Sequence, residues 1–106
     1  MDLSSLISVR VVARGLTKGN DISYIDVLVL NAGIIAAPYD GTADVFEMQF
    51  AISRLGLFAF VNMVIPRVLE AVSLRVVVVS SNAHRMSATR RGDSNYHVPQ
   101  LIPRMT

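Results

Sequence analysis

Cysteine and tryptophan are both absent from the 106 residues. Disulfides, thiol redox chemistry and cysteine-ligated zinc are therefore excluded. The two histidines, His84 and His97, stand thirteen residues apart with no local carboxylate cluster, so no metal site is expected. Lysine occurs once, as Lys18, and the net charge is only +2. The other nine basic residues are arginines, and Arg85, Arg90, Arg91 and Arg104 fall in the last quarter. Beyond Arg90-Arg91 there is no basic run, and no aromatic platform accompanies it. The pattern is that of a solvated loop rather than a nucleic-acid-binding surface. The longest apolar stretch free of charge, residues 55–66, is shorter than the ~20 residues a membrane-spanning helix needs, so no membrane span is expected.

What is present is apolar: 52% hydrophobic residues against 17% charged. That profile is far from a disordered one. It is also rich for a single small domain, which has little interior in which to bury such residues. Residues 1–20 hold Arg10, Arg14 and Lys18 at four-residue spacing, several serines and one acid, Asp2. This composition overlaps with a mitochondrial transit peptide. The resemblance described below accounts for the same residues, and a cytoplasmic protein is expected.

The most telling segment is Ile25-Asp26-Val27-Leu28-Val29-Leu30-Asn31-Ala32-Gly33. An apolar run that stops in a small polar tripeptide reads as a strand over 25–30, buried on both faces. Ligands of open α/β sheets sit at the carboxyl ends of such strands, and small residues there allow close approach to the backbone. A second run, Arg75-Val76-Val77-Val78-Val79, ends in Ser80-Ser81 and predicts a strand over 75–80.

Before the first strand, Leu6, Val9, Ala13 and Leu16 recur at helical spacing, with Ser4 or Ser5 as N-cap and Gly15 and Gly19-Asn20 at the end. Between the strands, Thr42 or Asp44 could cap a long helix running through Phe46, Phe50, Leu55, Phe58, Val61 and Ile65. Pro66 should kink or end it. Residues 55–65 are apolar almost all round, which predicts burial on several sides. The order β-α-β implies a parallel crossover. Past Ala83 the periodicity is lost. The expected organisation is a core over 1–83 and a loop or disordered tail over 84–106.

Several of these segments, in this order, resemble the short-chain dehydrogenase/reductase family, in its retinol-dehydrogenase-like, fungal-type branch. Asp2-Leu3-Ser4-Ser5-Leu6-Ile7-Ser8-Val9-Arg10 is similar to the segment after the third strand. Asn31-Ala32-Gly33-Ile34 with Ala37-Pro38 is similar to the turn after the fourth. Residues 50–66 match the central helix, and Val79-Ser80-Ser81-Asn82-Ala83-His84-Arg85 the end of the fifth strand. The resemblance implies an α/β chain with a partial Rossmann fold: two parallel strands, two helices and an irregular C-terminal tail. It implies NAD or NADP as cofactor and alcohol or carbonyl compounds as substrates. Asp2 would bond the adenine, Asn31 would brace the sheet, and Ala32 and Gly33 would pass the cofactor ribose. Ser81 would hold the substrate oxygen. Ser53 stands where the family carries a proton-relay asparagine.

Other parts of the family pattern are missing from these 106 residues. Tyr96 is followed four positions on by Gln100, not lysine, so the catalytic Tyr-x-x-x-Lys pair is not found. A phenol with pKa near 10 needs a neighbouring cation to act near neutrality. The glycine-rich phosphate turn is not found either, and with it goes the backbone cradle for a pyrophosphate. The chain reads as an interior slice, with a truncated gene model as its expected origin. The resemblance then leaves two classes of function: a dehydrogenase-like chain inactive alone, or a non-catalytic fragment that pairs with itself or a homologous subunit through the helix over 44–69.

Overall fold

The computed structural model describes residues 1–19, 22–85 and 91–95. The first helix, α1 (Leu6–Lys18), begins where the sequence places it. Ser5 is extended at the N-cap, and its hydroxyl accepts from Ser8 N–H. A second acceptor reaches the same helix end from far along the chain: the Asp44 carboxylate accepts from Leu6 N–H at 2.9 Å. A carboxylate is favoured there by the helix dipole and by the unpaired N–H groups of the first turn. Val9 and Ala13 form the buried stripe.

Strand β1 (Val27–Leu30) follows and pairs in parallel with β2 (Arg75–Val78), Val27 beside Arg75 and Leu30 beside Val78. Between them runs α2 (Met48–Leu69), a continuous helix of 22 residues. Its first turn is α-helical, Ala51–Gly56 is a π-helix, and Leu57–Leu69 is α-helical again. The α/β class, the two parallel strands and the two long helices agree with the partial Rossmann fold expected from sequence.

The start of α2 differs from expectation. Thr42 and Asp44 do not cap it, because both are used elsewhere. Thr42 Oγ1 accepts from Phe46 N–H, and Asp44 is bound to α1. Val45 adopts a positive φ of 65°, which no helix can include. The cap is Glu47, whose two carboxylate oxygens accept from Gln49 and Phe50 N–H at 3.0 and 2.8 Å. Pro66 does not end the helix, which continues to Leu69.

The core lies between α1, α2 and one face of β1, where Ala13, Leu28, Leu30, Val64 and Val68 meet. Two burial expectations are corrected here. Strand β1 is covered on one face only: Leu28 and Leu30 are buried, while Val27 and Val29 are more than half exposed. The apolar belt of α2 is likewise buried along one stripe, and Phe58 is 68% exposed. Both residue runs are suited to two-sided burial, but the described residues supply neighbours on one side alone.

A 3-10 turn over Asn82–Arg85 straddles the expected boundary between core and tail. Asn95 docks on the start of α2: its side chain accepts from Glu47 N–H and donates to the Val45 carbonyl. The tail expected over 84–106 therefore includes one anchored point. Residues 86–90 and 96–106, with Arg90, Tyr96, His97 and Arg104, lie outside the described residues.

By length and composition α2 is apolar enough to cross a membrane, with a mean hydropathy of 1.6. The sequence reading counted only the charge-free stretch. In the fold the helix extends past Arg54 and Arg67 on either side of that stretch. The cytoplasmic placement loses the support it drew from the lack of such a helix.

Candidate functional site

Parallel strands bring their carboxyl ends to one side, and ligands of open α/β sheets bind in the crevice outside those ends. In this chain the crevice continues as a groove of about 750 Å³. Its floor is Leu30, Val76 and Val78, and one wall is Leu57, Phe58 and Val61 of α2. Its polar end holds Asn31, Ala32 and Gly33 from the turn after β1, Ser53 and Arg54 from the π-helix, and Ser80 and Ser81 after β2. All five expected site positions after residue 30 thus come together around one opening: Asn31, Ala32, Gly33, Ser53 and Ser81.

Ser53 is the best defined of them. Its hydroxyl accepts from Ile34 N–H at 3.2 Å and donates to the Ile34 carbonyl at 3.3 Å. Ser53 lies within the π-helical turn. One extra residue per turn rotates the following side chains relative to a regular helix. Through these two contacts the Ser53 hydroxyl ties α2 to the turn after β1. Gly33 fits beneath it closely: a Cβ at that position would lie 3.3 Å from Ser53 Oγ.

Ser81 accepts from Ala83 N–H at 3.1 Å, the local bond of a strand-ending serine. Its side chain lies at the groove mouth beside Ser80.

Asp2 is not among the groove residues. Its Oδ1 accepts from Ser4 N–H at 2.8 Å and from Ser4 Oγ at 2.6 Å. Those two bonds, the side-chain one foremost, hold its pKa below the ordinary 3.8. The carboxylate serves the loop before α1. Among the described residues there is no group of three or more histidine, cysteine or acidic side chains placed to hold a metal ion.

Sequence reasoning did not single out Arg54, Leu57, Phe58 or Val61 as site residues. The helical spacing of Phe58 and Val61 marked a buried face, and nothing in the spacing distinguishes a groove wall from a core contact. Arg54 reads as a solvated charge until the fold sets it beside the turn.

A parallel sheet with a crossing helix and a small-residue turn at the strand ends is part of a Rossmann-like α/β fold. Over nearly its whole length the chain is similar to retinol dehydrogenases. It is 34% identical to retinol dehydrogenase 12 of Bos taurus over 102 residues, 92% of this chain and 32% of that protein. It is 38% identical to retinol dehydrogenase 14 of Homo sapiens, across 91% of this chain and 26% of that one. The crystal structure of an uncharacterised protein from Mycobacterium Paratuberculosis superposes with a TM-score of 0.75 at 40% identity, over 94% of this chain and 34% of that one. No family model matches. The chain resembles one segment of a retinol-dehydrogenase-like short-chain dehydrogenase/reductase, and it spans about a third or less of the length of these relatives. Its relatives are oxidoreductases.

Proposed function

We propose that the chain supplies the strand-end half of a nicotinamide-dinucleotide site in an oxidoreductase acting on alcohol or carbonyl compounds, and that these 106 residues alone do not turn over. The observation that carries this reading is the convergence of the Asn31-Ala32-Gly33 turn, Ser53 and Ser81 on one opening. NAD or NADP would supply the hydride acceptor or donor. The residues present fit one end of that cofactor. Gly33, packed under Ser53, gives a turn with no side chain in the way of a ribose, and Ser53 holds the turn through Ile34. Ser81 stands where a substrate oxygen would be held and oriented. A fixed hydroxyl donor there polarises a carbonyl and restricts its approach.

The opposite end of the cofactor has no counterpart in this sequence. A pyrophosphate needs several convergent N–H donors at a helix start. An alcohol needs a base whose pKa is brought near neutrality, and Lys18 is the one lysine.

We read α2 as a core helix rather than a membrane span. Val64 and Val68 are fully buried against α1 and β1, and the Arg67 guanidinium donates to the Thr17 carbonyl at 2.6 Å.

Calorimetric titration with NADH and NADPH, alongside a turnover assay on aliphatic alcohols and aldehydes, tests the proposal. It predicts a Kd weaker than about 1 mM and no turnover, since a site missing its phosphate contacts forfeits several charge-assisted hydrogen bonds. Micromolar binding or measurable turnover would overturn it.

A further inference from the structure

The loop before α2 closes on itself. Met48 N–H donates to the Asp40 carbonyl, Thr42 N–H to the Phe46 carbonyl and Val45 N–H to the Thr42 carbonyl, at 2.8–2.9 Å. Within it Val45 has a φ of 65°, which a β-branched residue keeps only where its surroundings hold it there. Part of that hold comes from the half-buried Asn95, on the segment after β2. Its single amide grips the strained residue and the helix cap together. Oδ1 accepts from Glu47 N–H at 3.2 Å, and Nδ2 donates to the Val45 carbonyl at 3.3 Å. In a capping box the N–H of the N-cap residue is taken by a side chain of the same helix. Here the N-cap is Glu47, and the acceptor arrives from 48 positions along the chain.

What Asn95 holds continues into the site. After Glu47 there is one short α-helical stretch, Met48–Phe50, before the π-helix. Helix ends fray, and a π-helical turn is a rare departure from the regular ladder. Yet two side chains of this stretch reach the segment after β1. Gln49 Nε2 donates to the Ala37 carbonyl at 3.3 Å, and Ser53 makes its two bonds with Ile34. The placement of Gly33 and Ile34 is thus tied to the start of α2, and the start of α2 to Glu47 and Asn95.

We propose that Asn95 is a positioning residue for the Asn31–Ile34 turn. It is not among the residues that line the groove, and it acts through α2. By pinning Val45 and Glu47 it fixes where the helix begins, and Gln49 and Ser53 pass that placement to Ala37 and Ile34. The segment after β2 therefore contributes to the site twice: directly at Ser81, and indirectly through Asn95. The role assigned to Asn95 rests on the reading of this turn as the strand-end half of a dinucleotide site. The coupling of Asn95 to Ile34 is measurable without any cofactor.

Amide hydrogen exchange and NADH titration of the isotope-labelled chain, followed by NMR in the wild type, Asn95→Ala and Asn95→Asp, test it. Asn95→Ala removes both bonds. Asn95→Asp keeps an acceptor for Glu47 N–H and loses the donor to the Val45 carbonyl. Exchange at Ile34 is expected to rise by about fivefold or more in Asn95→Ala and by less in Asn95→Asp, with the core amides of Val64 and Val68 unchanged. The NADH-induced shifts at Asn31, Ala32, Gly33 and Ile34 are expected to shrink at fixed cofactor concentration, because fewer molecules hold the turn in place. A residue that serves only its own loop would leave those shifts as they are. Faster exchange confined to residues 45–50 overturns the proposal. So does an equal rise at Ile34, Val64 and Val68, which would make Asn95 a support of the whole fold. Should Asn95→Ala fail to fold, Asn95→Asp decides alone, and an Ile34 exchange rate equal to that of the wild type refutes the coupling. A wild-type turn that does not respond to NADH refutes the cofactor reading instead, and the Ile34 exchange rate then still decides whether Asn95 positions the turn.

Discussion

Glycine to alanine is expected to act in opposite directions at two helical positions. In α1, Gly15 has no heavy atom within 4 Å of where a Cβ would stand. Alanine there gains helix propensity and restricts the unfolded chain, for about 0.5–1 kcal/mol of stabilisation. At Gly56, where the π-helix passes into regular α2, a Cβ would lie 2.5 Å from the Leu3 carbonyl oxygen and 3.1 Å from Leu3 Cβ and Cδ2. Apolar carbons at rest stay about 3.5–4.0 Å apart. The strand of chain at Leu3 would have to retreat by about an ångström. It is held at its far end by the Ser5 cap and by the Asp44 bond to Leu6 N–H. Overpacking costs about 1–3 kcal/mol, and with backbone rather than a flexible side-chain end in the way the upper half of that range applies, which exceeds the propensity gain of about 0.8–1 kcal/mol. Gly56→Ala should therefore lose about 1–2 kcal/mol while Gly15→Ala gains. Urea unfolding followed by circular dichroism measures both, at one fixed chain concentration because association would itself shift the midpoint. With a slope near 1 kcal/mol/M, Gly56→Ala should lower the midpoint by roughly 1–2 M. A Gly56→Ala protein as stable as the wild type would refute the close passage of Leu3 over the helix.

Three further outcomes are expected. Glu47→Ala removes two acceptors from a residue that is only 4% exposed, leaving the Gln49 and Phe50 N–H groups without their partner, and should cost about 2–3 kcal/mol in the same assay; Glu47→Gln should recover part of it. Val45→Asn should raise the unfolding midpoint, because a β-branched residue at φ 65° is strained and asparagine tolerates that region; an unchanged or lower midpoint would mean the turn is not left-handed in solution. For Asp2, the folded pKa lies below the ordinary 3.8, so its contribution to stability is present above that value and fades as pH falls through the lowered one. Carbon-detected NMR titration should find the depressed value in the wild type and a value moved back toward 3.8 in Ser4→Ala, which keeps the backbone bond.

The elements were legible where periodicity and local chemistry decide them. Val9 and Ala13 of α1 sit on the stripe that their spacing marks, and the Val27–Leu30 and Arg75–Val78 strands follow from their apolar runs. The start of α2 was not legible, for Thr42, Asp44 and Glu47 are all competent caps. The choice falls to Glu47 only because Asp44 is drawn 38 positions away to α1. Burial was misread for the same physical reason at Val29 and Phe58. A side chain's type says what it would gain from a neighbour, and the neighbour has to be there. At the site, the turn and the strand-end serines could be read as loop chemistry. The bond between Ser53 and Ile34 could not, since it joins positions 19 residues apart in the chain and nothing in the spacing of apolar residues marks it.

The most direct test of the proposed strand-end half-site is an NMR titration of the isotope-labelled chain with NADH up to about ten millimolar, a range suited to a Kd above 1 mM. The proposal predicts progressive, unsaturated shifts confined to the amides of Asn31, Ala32, Gly33, Ile34 and Ser81, with Asp2 and the exposed face of α1 unmoved. Shifts centred elsewhere, or none at the Asn31–Ile34 turn, would contradict it.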